Sequence, residues 1–162
     1  MKKILKSFTA LSLGIVLVAT TGCSSDDNSE KNVDYAKVIA GDYTGLFMMG
    51  MQLIGNGKFS TLHITRIEDN KVLLSMNTTL LNLPVVGDLP LDVSSESAVT
   101  KNGESYDISG VSSVSIPQLG NDPIPVDISG TVTPSSAKAS LVIKIMIGDE
   151  PIIVNFTGRN DY

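Results

Sequence analysis

The chain has 162 residues, with 12 Lys and Arg against 17 Asp and Glu and a formal net charge of −5. That balance excludes nucleic acid as a partner, because binding its phosphates takes clustered cations. One cysteine and no tryptophan imply a fold without disulfides, with a core volume supplied by Val, Ile, Leu and Met.

Residues 1–27 set the compartment. Lys2, Lys3 and Lys6 precede an apolar run from Ala10 to Ala19, followed by Thr20, Thr21, Gly22 and Cys23. A basic start, a short apolar core and a small-residue junction describe a secretory signal, too short to span a bilayer comfortably. Gly22-Cys23 resembles a bacterial lipobox, with Thr20 where Leu is usual. The resemblance implies a signal peptide over 1–22 and lipidation of Cys23, which ties the protein to a membrane. The remaining chain is more acidic still, so acyl chains rather than charge must hold it to anionic lipid. Residues 23–33 read as a polar, disordered tether. Ser24-Ser25-Asp26-Asp27 resembles the acidic export signal of Bacteroidetes lipoproteins, which implies an outer-membrane, cell-surface location.

Residues 34–162 form one domain. Asp34 to Ala40 is the one helix expected after the signal: Asp34 caps it, Tyr35, Val38 and Ile39 share a face, and Gly41 ends it. From Gly41 onward the apolar period is two. Tyr43–Leu53 and Lys58–Ile67 are strand-like. In Lys71–Asn82 the apolar side is Val72, Leu74, Met76 and Leu80; in Leu89–Val99 it is Leu91, Val93 and Val99. Glu104–Ile116 presents Tyr106, Ile108, Val114 and Ile116, and Ile124–Thr133 presents Val126, Ile128 and Val132. Ala137–Ile147 and Pro151–Gly158 complete eight strands. Turns are expected at Gly55-Asn56-Gly57, Asp69-Asn70, Asn102-Gly103, Pro134-Ser135-Ser136 and Gly148-Asp149, with Asn102-Gly103 read as type I′. The spacing favours an all-β, eight-stranded antiparallel up-and-down barrel.

Gly41-Asp42-Tyr43 after a short helix, with Arg159 at the end of the last strand, resembles the lipocalin pattern, Tyr43 standing where Trp is usual. The chain is similar to the calycin-like barrel lipoproteins of Bacteroidetes over residues 39–160. The resemblance implies that Gly41 opens strand one, that Arg159 packs over Tyr43, and that the barrel binds a small apolar or amphipathic ligand. An internal echo links Leu83 to Ser94 with Ile116 to Ser129, each containing Pro, Gly, an acid and Pro before a strand. Val85, Val86, Leu89, Leu119 and Ile124 lie in these connections, where polar residues are usual, and are the candidate mouth.

Catalytic patterns are missing from the sequence. The one histidine, His63, sits between Leu62 and Ile64 and is expected to point outward. One His and no spare Cys exclude the usual zinc sets, and the carboxylates fall in turns without calcium-loop spacing. The expectation is therefore a non-enzymatic protein with no cofactor and no metal. It is a surface lipoprotein whose barrel binds a ligand or, alternatively, a packed barrel acting as an interaction subunit. The sequence names no protein partner.

Overall fold

The structure, a computed structural model, describes residues 33–54, 59–83, 87–116, 119–120 and 122–160. The signal, Cys23 and the tether lie outside the described residues, as do Val85, Val86 and the turn at 55–57. The expected architecture is the observed one: an eight-stranded antiparallel closed barrel with one short helix on its N-terminal side.

Helix α1 (Tyr35–Ile39) leads into β1 (Gly41–Met49). A two-residue stub, β2 (Gln52–Leu53), folds back on the end of β1. Then come β3 (Ser60–Glu68), β4 (Lys71–Leu83), β5 (Gly87–Asn102), β6 (Ser105–Ser115), β7 (Pro123–Thr133), β8 (Lys138–Ile147) and β9 (Glu150–Arg159). Each pairs with the next, from β3 to β9. β1 closes the barrel by pairing with β3 through Gly41–Gly45 and with β9 through Thr44–Met48.

Alternation decides what faces inward. In β5, every second residue from Leu89 to Val99 is buried and its neighbours are exposed. Val72, Leu74 and Met76 in β4 and Ala139, Leu141, Ile143 and Ile145 in β8 are likewise buried at every second position. These side chains fill the interior from one end of the barrel to the other. The outer face carries Thr, Ser, Asp, Lys and Asn at most positions. That is the reverse of a transmembrane barrel, which needs an outward apolar band.

The β1–β9 seam is built from two unlike pairs. Gly45 faces Gly158, and Phe47 faces Phe156. The rings sit 5.1 Å apart at 50°, a tilted geometry worth about 0.5–1.5 kcal/mol beyond area burial. A Cβ on Gly158 would lie 2.6 Å from Phe156 Cζ, so that ring covers the glycine. A Cβ on Gly45 would lie 2.1 Å from the Thr157 carbonyl oxygen and 2.4 Å from Gly158 Cα. Only glycine allows this approach.

The β5–β6 wall is different. Its ladder runs only from Asn102↔Ser105 to Ser97↔Gly110. Beyond that point serine side chains bridge the strands: Ser95 Oγ donates to the Val111 carbonyl at 3.0 Å, and Ser112 Oγ to the Ser94 carbonyl at 2.8 Å. Ser95 and Ser97 are buried, and the space over Gly110 that a Cβ would take belongs to their hydroxyls.

Three local expectations change. The buried face of α1 is Ala36 and Ile39, while Val38 is exposed, because a five-residue helix has room for only one inward stripe. At the β5–β6 turn Asn102 stays in the ladder opposite Ser105, and Gly103 takes φ 61. The turn residues are thus Gly103-Glu104, with glycine first as a type II′ turn requires. Leu89 was expected in a loop but pairs with Leu80 inside β5. Pro90 follows it without breaking the strand, because there β5 has no ladder partner on the β6 side and the missing N–H costs no bond.

Gly45→Ala tests the closure. The added methyl meets backbone, which cannot rotate away, so the expected loss is on the order of 3 kcal/mol in denaturant unfolding. A loss below about 0.5 kcal/mol, the range of an ordinary surface change, would contradict the seam geometry.

Candidate functional site

The two ends of the barrel differ. The start of β1, the end of β9 and the turns at 69–70, 103–104 and 134–137 share one end, and α1 closes it. Asp34 accepts from the Lys37 N–H at 3.0 Å, capping the helix. Tyr35 N–H donates to Asn70 Oδ1 at 3.1 Å, and the Tyr35 ring lies 5.7 Å from that of Tyr106. Ala36 and Ile39 are fully buried in the core. Tyr43 points inward, and its hydroxyl donates to the Ile39 carbonyl at 3.0 Å.

Arg66 clamps this end from outside, holding Asp34 through Nε and Asp69 through Nη2, the latter at 2.5 Å. Partial burial pushes the Asp34 carboxyl up. The hydrogen bonds from Arg66 and Lys37, with the attraction of both cations, outweigh it and hold the group below the usual carboxylate range. Arg159 stands opposite Thr44 in the ladder, and both residues are exposed, while Tyr43 is buried.

At the other end much of the connecting chain lies outside the described residues. The connections there are the turns at 50–51 and 148–149 and the two Pro-containing segments. Leu89 is not on this rim: it is 0% exposed, within the core. Ile124 is partly buried and packs on the core, and Leu119 is 45% exposed. The structure therefore leaves Leu119 as the expected mouth residue with an exposed side chain, among the described ones.

The rim formed by the last inward positions of β1, β8 and β9 gave no signal of its own in the sequence. Met49, Ile147 and Ile152 are partly buried and pack on the core from above. With Pro151 and Ile153 they line a cleft of about 730 Å³, and Asp149 and Glu150 sit at its edge. Its walls are apolar, and its formal charges are both negative. The volume falls in the ~300–1,000 Å³ range of small-molecule sites.

His63 points outward as expected, and register gives it a partner the sequence did not reveal. Its Nδ1 lies 2.7 Å from Asp42 Oδ1, and its cross-strand neighbour on the other side is Ser75. Asp42, His63 and Ser75 thus form a row in the order of a hydrolytic triad. Among the described residues no hydrogen bond joins Ser75 to His63. Around the row β3 and β4 are paired on both sides. No group of metal-binding side chains is present among the described residues.

No family model matches the chain, and no curated protein does. The fold is similar to the crystal structure of a "putative outer membrane protein" from Bacteroides fragilis, at 17% sequence identity and a TM-score of 0.53. The match covers 78% of this chain and 53% of that one, so this chain spans about half the length of the structure it matches. At that identity the likeness concerns the fold. Among the described residues no helix is long and apolar enough to cross a membrane.

The closed end should respond to acid. Because the folded state lowers the Asp34 pKa below 3.8, its contribution is complete above that value and fades as pH falls through the folded one. Asp34→Asn keeps a helix cap but removes the charge. Its melting temperature should lie below that of the wild type at about pH 6, and the two should converge by about pH 2. A gap that persists at low pH would show that the charge is not what holds the helix down.

Proposed function

We propose that the protein is a non-enzymatic lipoprotein of the bacterial envelope, a calycin-like barrel that holds a small amphipathic ligand at the end opposite α1. The observation that carries the ligand reading is the cleft of about 730 Å³ over Met49, Ile147 and Ile152. The interior is occupied by the protein's own side chains, so the ligand's apolar part lies on the rim rather than deep in the barrel. Asp149 and Glu150 select the head group: neutral or cationic is favoured, and anionic is repelled.

Anchoring at Cys23, after removal of residues 1–22, supplies the membrane attachment. The outward polarity of the wall supports an anchored rather than a spanning barrel, and the outer-membrane description of the structural neighbour fits an envelope location. The full core also supports a second reading, an interaction subunit that binds no small molecule.

Two measurements test these readings. By calorimetry below its micelle concentration, dodecyltrimethylammonium should bind more tightly than dodecanoate. Reversing both rim charges, Asp149→Lys with Glu150→Lys, should weaken the cation by about tenfold and favour the anion, roughly 1.4 kcal/mol. Binding of neither amphiphile would overturn the ligand reading and leave the interaction subunit. Separately, Cys23→Ala should abolish labelling by radioactive palmitate and release the protein from membranes. A variant that still labels or still sediments with membranes would contradict the anchor.

A further inference from the structure

On the outer wall, away from the rim, β3, β4 and β5 carry a second concavity of about 480 Å³. Register makes its floor predictable. Asn77 pairs with Asp92 across β4 and β5, and Thr61, one residue beyond the Leu62↔Met76 pair, continues the row on β3. His63 faces Ser75 in the next row. Phe59 stands two residues before Thr61, on the same side of the wall, and lines the groove beside Thr79. Its ring is 71% exposed.

We propose that this groove binds a neutral saccharide chain. An exposed aromatic ring beside a polar floor matches a ligand that has both an apolar face and a polar edge. A pyranose has that character: C–H bonds on its face and hydroxyls around its edge. Phe59 offers the platform for the face. The floor offers groups for the edge. Among the described residues, the side chains of Thr61, Ser75, Asn77, Thr79 and Asp92 make no hydrogen bond within the chain. The Asn77 amide both donates and accepts, the hydroxyls do either, and Asp92 accepts. Asp42 fixes the His63 ring through Nδ1; with the proton on that nitrogen, Nε2 is left as an acceptor.

Charge and geometry narrow the ligand further. Asp42 and Asp92 disfavour phosphate and uronic acids, which removes nucleotides and acidic glycans. With strands about 4.8 Å apart, the Thr61–Asn77–Asp92 row is about 10 Å long, the scale of a disaccharide. The volume lies within the ~300–1,000 Å³ of ligand sites, while the polar floor separates this groove from the apolar rim. The two sites share no lining residue.

Saturation-transfer NMR and calorimetry with cellohexaose, maltohexaose and β-mannohexaose provide the test, with hexagalacturonate as the charged comparison. At least one neutral hexasaccharide should receive saturation and bind more tightly than hexagalacturonate. Phe59→Ala and Asn77→Ala should each weaken it about tenfold with an unchanged melting temperature, while Ser109→Ala on β6 should not. No transfer to any of the three neutral probes would overturn the proposal. So would binding that survives both groove variants. Dodecyltrimethylammonium binding should be unaffected by Phe59→Ala, so failure here is distinct from failure at the rim.

Discussion

The closure of β1 on β9 is the constraint on which the rest depends. A barrel needs its first and last strands in hydrogen-bonding contact around a small circumference. Here Gly45 and Gly158 face each other, where a Cβ on Gly45 would meet backbone and one on Gly158 the Phe156 ring. Phe47 and Phe156, two residues further along their strands, fill the space the glycines leave. Small and large side chains alternate across the seam, so the wall closes and the interior still packs. With every main strand paired to a neighbour on each side, although β5 and β6 over only part of their length, exposed sheet edges are reduced. Alternation then divides the chain into an apolar inside and a polar outside.

That division determines where function can lie. The buried positions of β4, β5, β7, β8 and β9 hold mostly Val, Leu, Ile, Met and Phe, with Ser95 and Ser97 in β5 and Ala139 in β8, and a ligand placed among them would have to displace packed side chains. The closed end is occupied by α1, held by the Tyr43 hydroxyl, the Asn70 amide oxygen and the Arg66 clamp. The rim opposite α1 and the outer wall remain. The rim collects the last inward residues of three strands, apolar because they continue the core and partly exposed because the core ends there. The outer wall collects polar side chains whose neighbours are fixed by register. Each site follows from strand geometry and needs no special loop.

The strands were legible in the sequence because period-two alternation survives wherever one face is buried, as Leu141, Ile143 and Ile145 show. Helix α1 was legible from Asp34 and Gly41. Register was not: nothing near His63 in sequence announces Asp42, 21 residues earlier, or Ser75 across the next ladder. Leu89 was misplaced because Pro90 reads as a turn residue, and the interruption of the β5–β6 ladder that tolerates a proline is a tertiary feature. Ser95 and Ser97 broke the apolar pattern of β5. Their burial depends on the space over Gly110 and on the Val111 carbonyl, both on another strand. Met49, Ile147 and Ile152 read as ordinary strand ends, and only closure brings them together.

The claim that ties these observations together is that the interior is full and that ligands meet this barrel at its surface. Methyl NMR on Ile-, Leu-, Val- and Met-labelled protein titrated with dodecyltrimethylammonium tests it most directly. Shifts confined to Met49, Ile147, Ile152 and Ile153, with Ile128, Leu141 and Ile143 unmoved, are the result expected of a rim site over a packed core. Shifts concentrated at Ile128, Leu141 and Ile143 would show that the ligand enters the barrel, and would contradict the account.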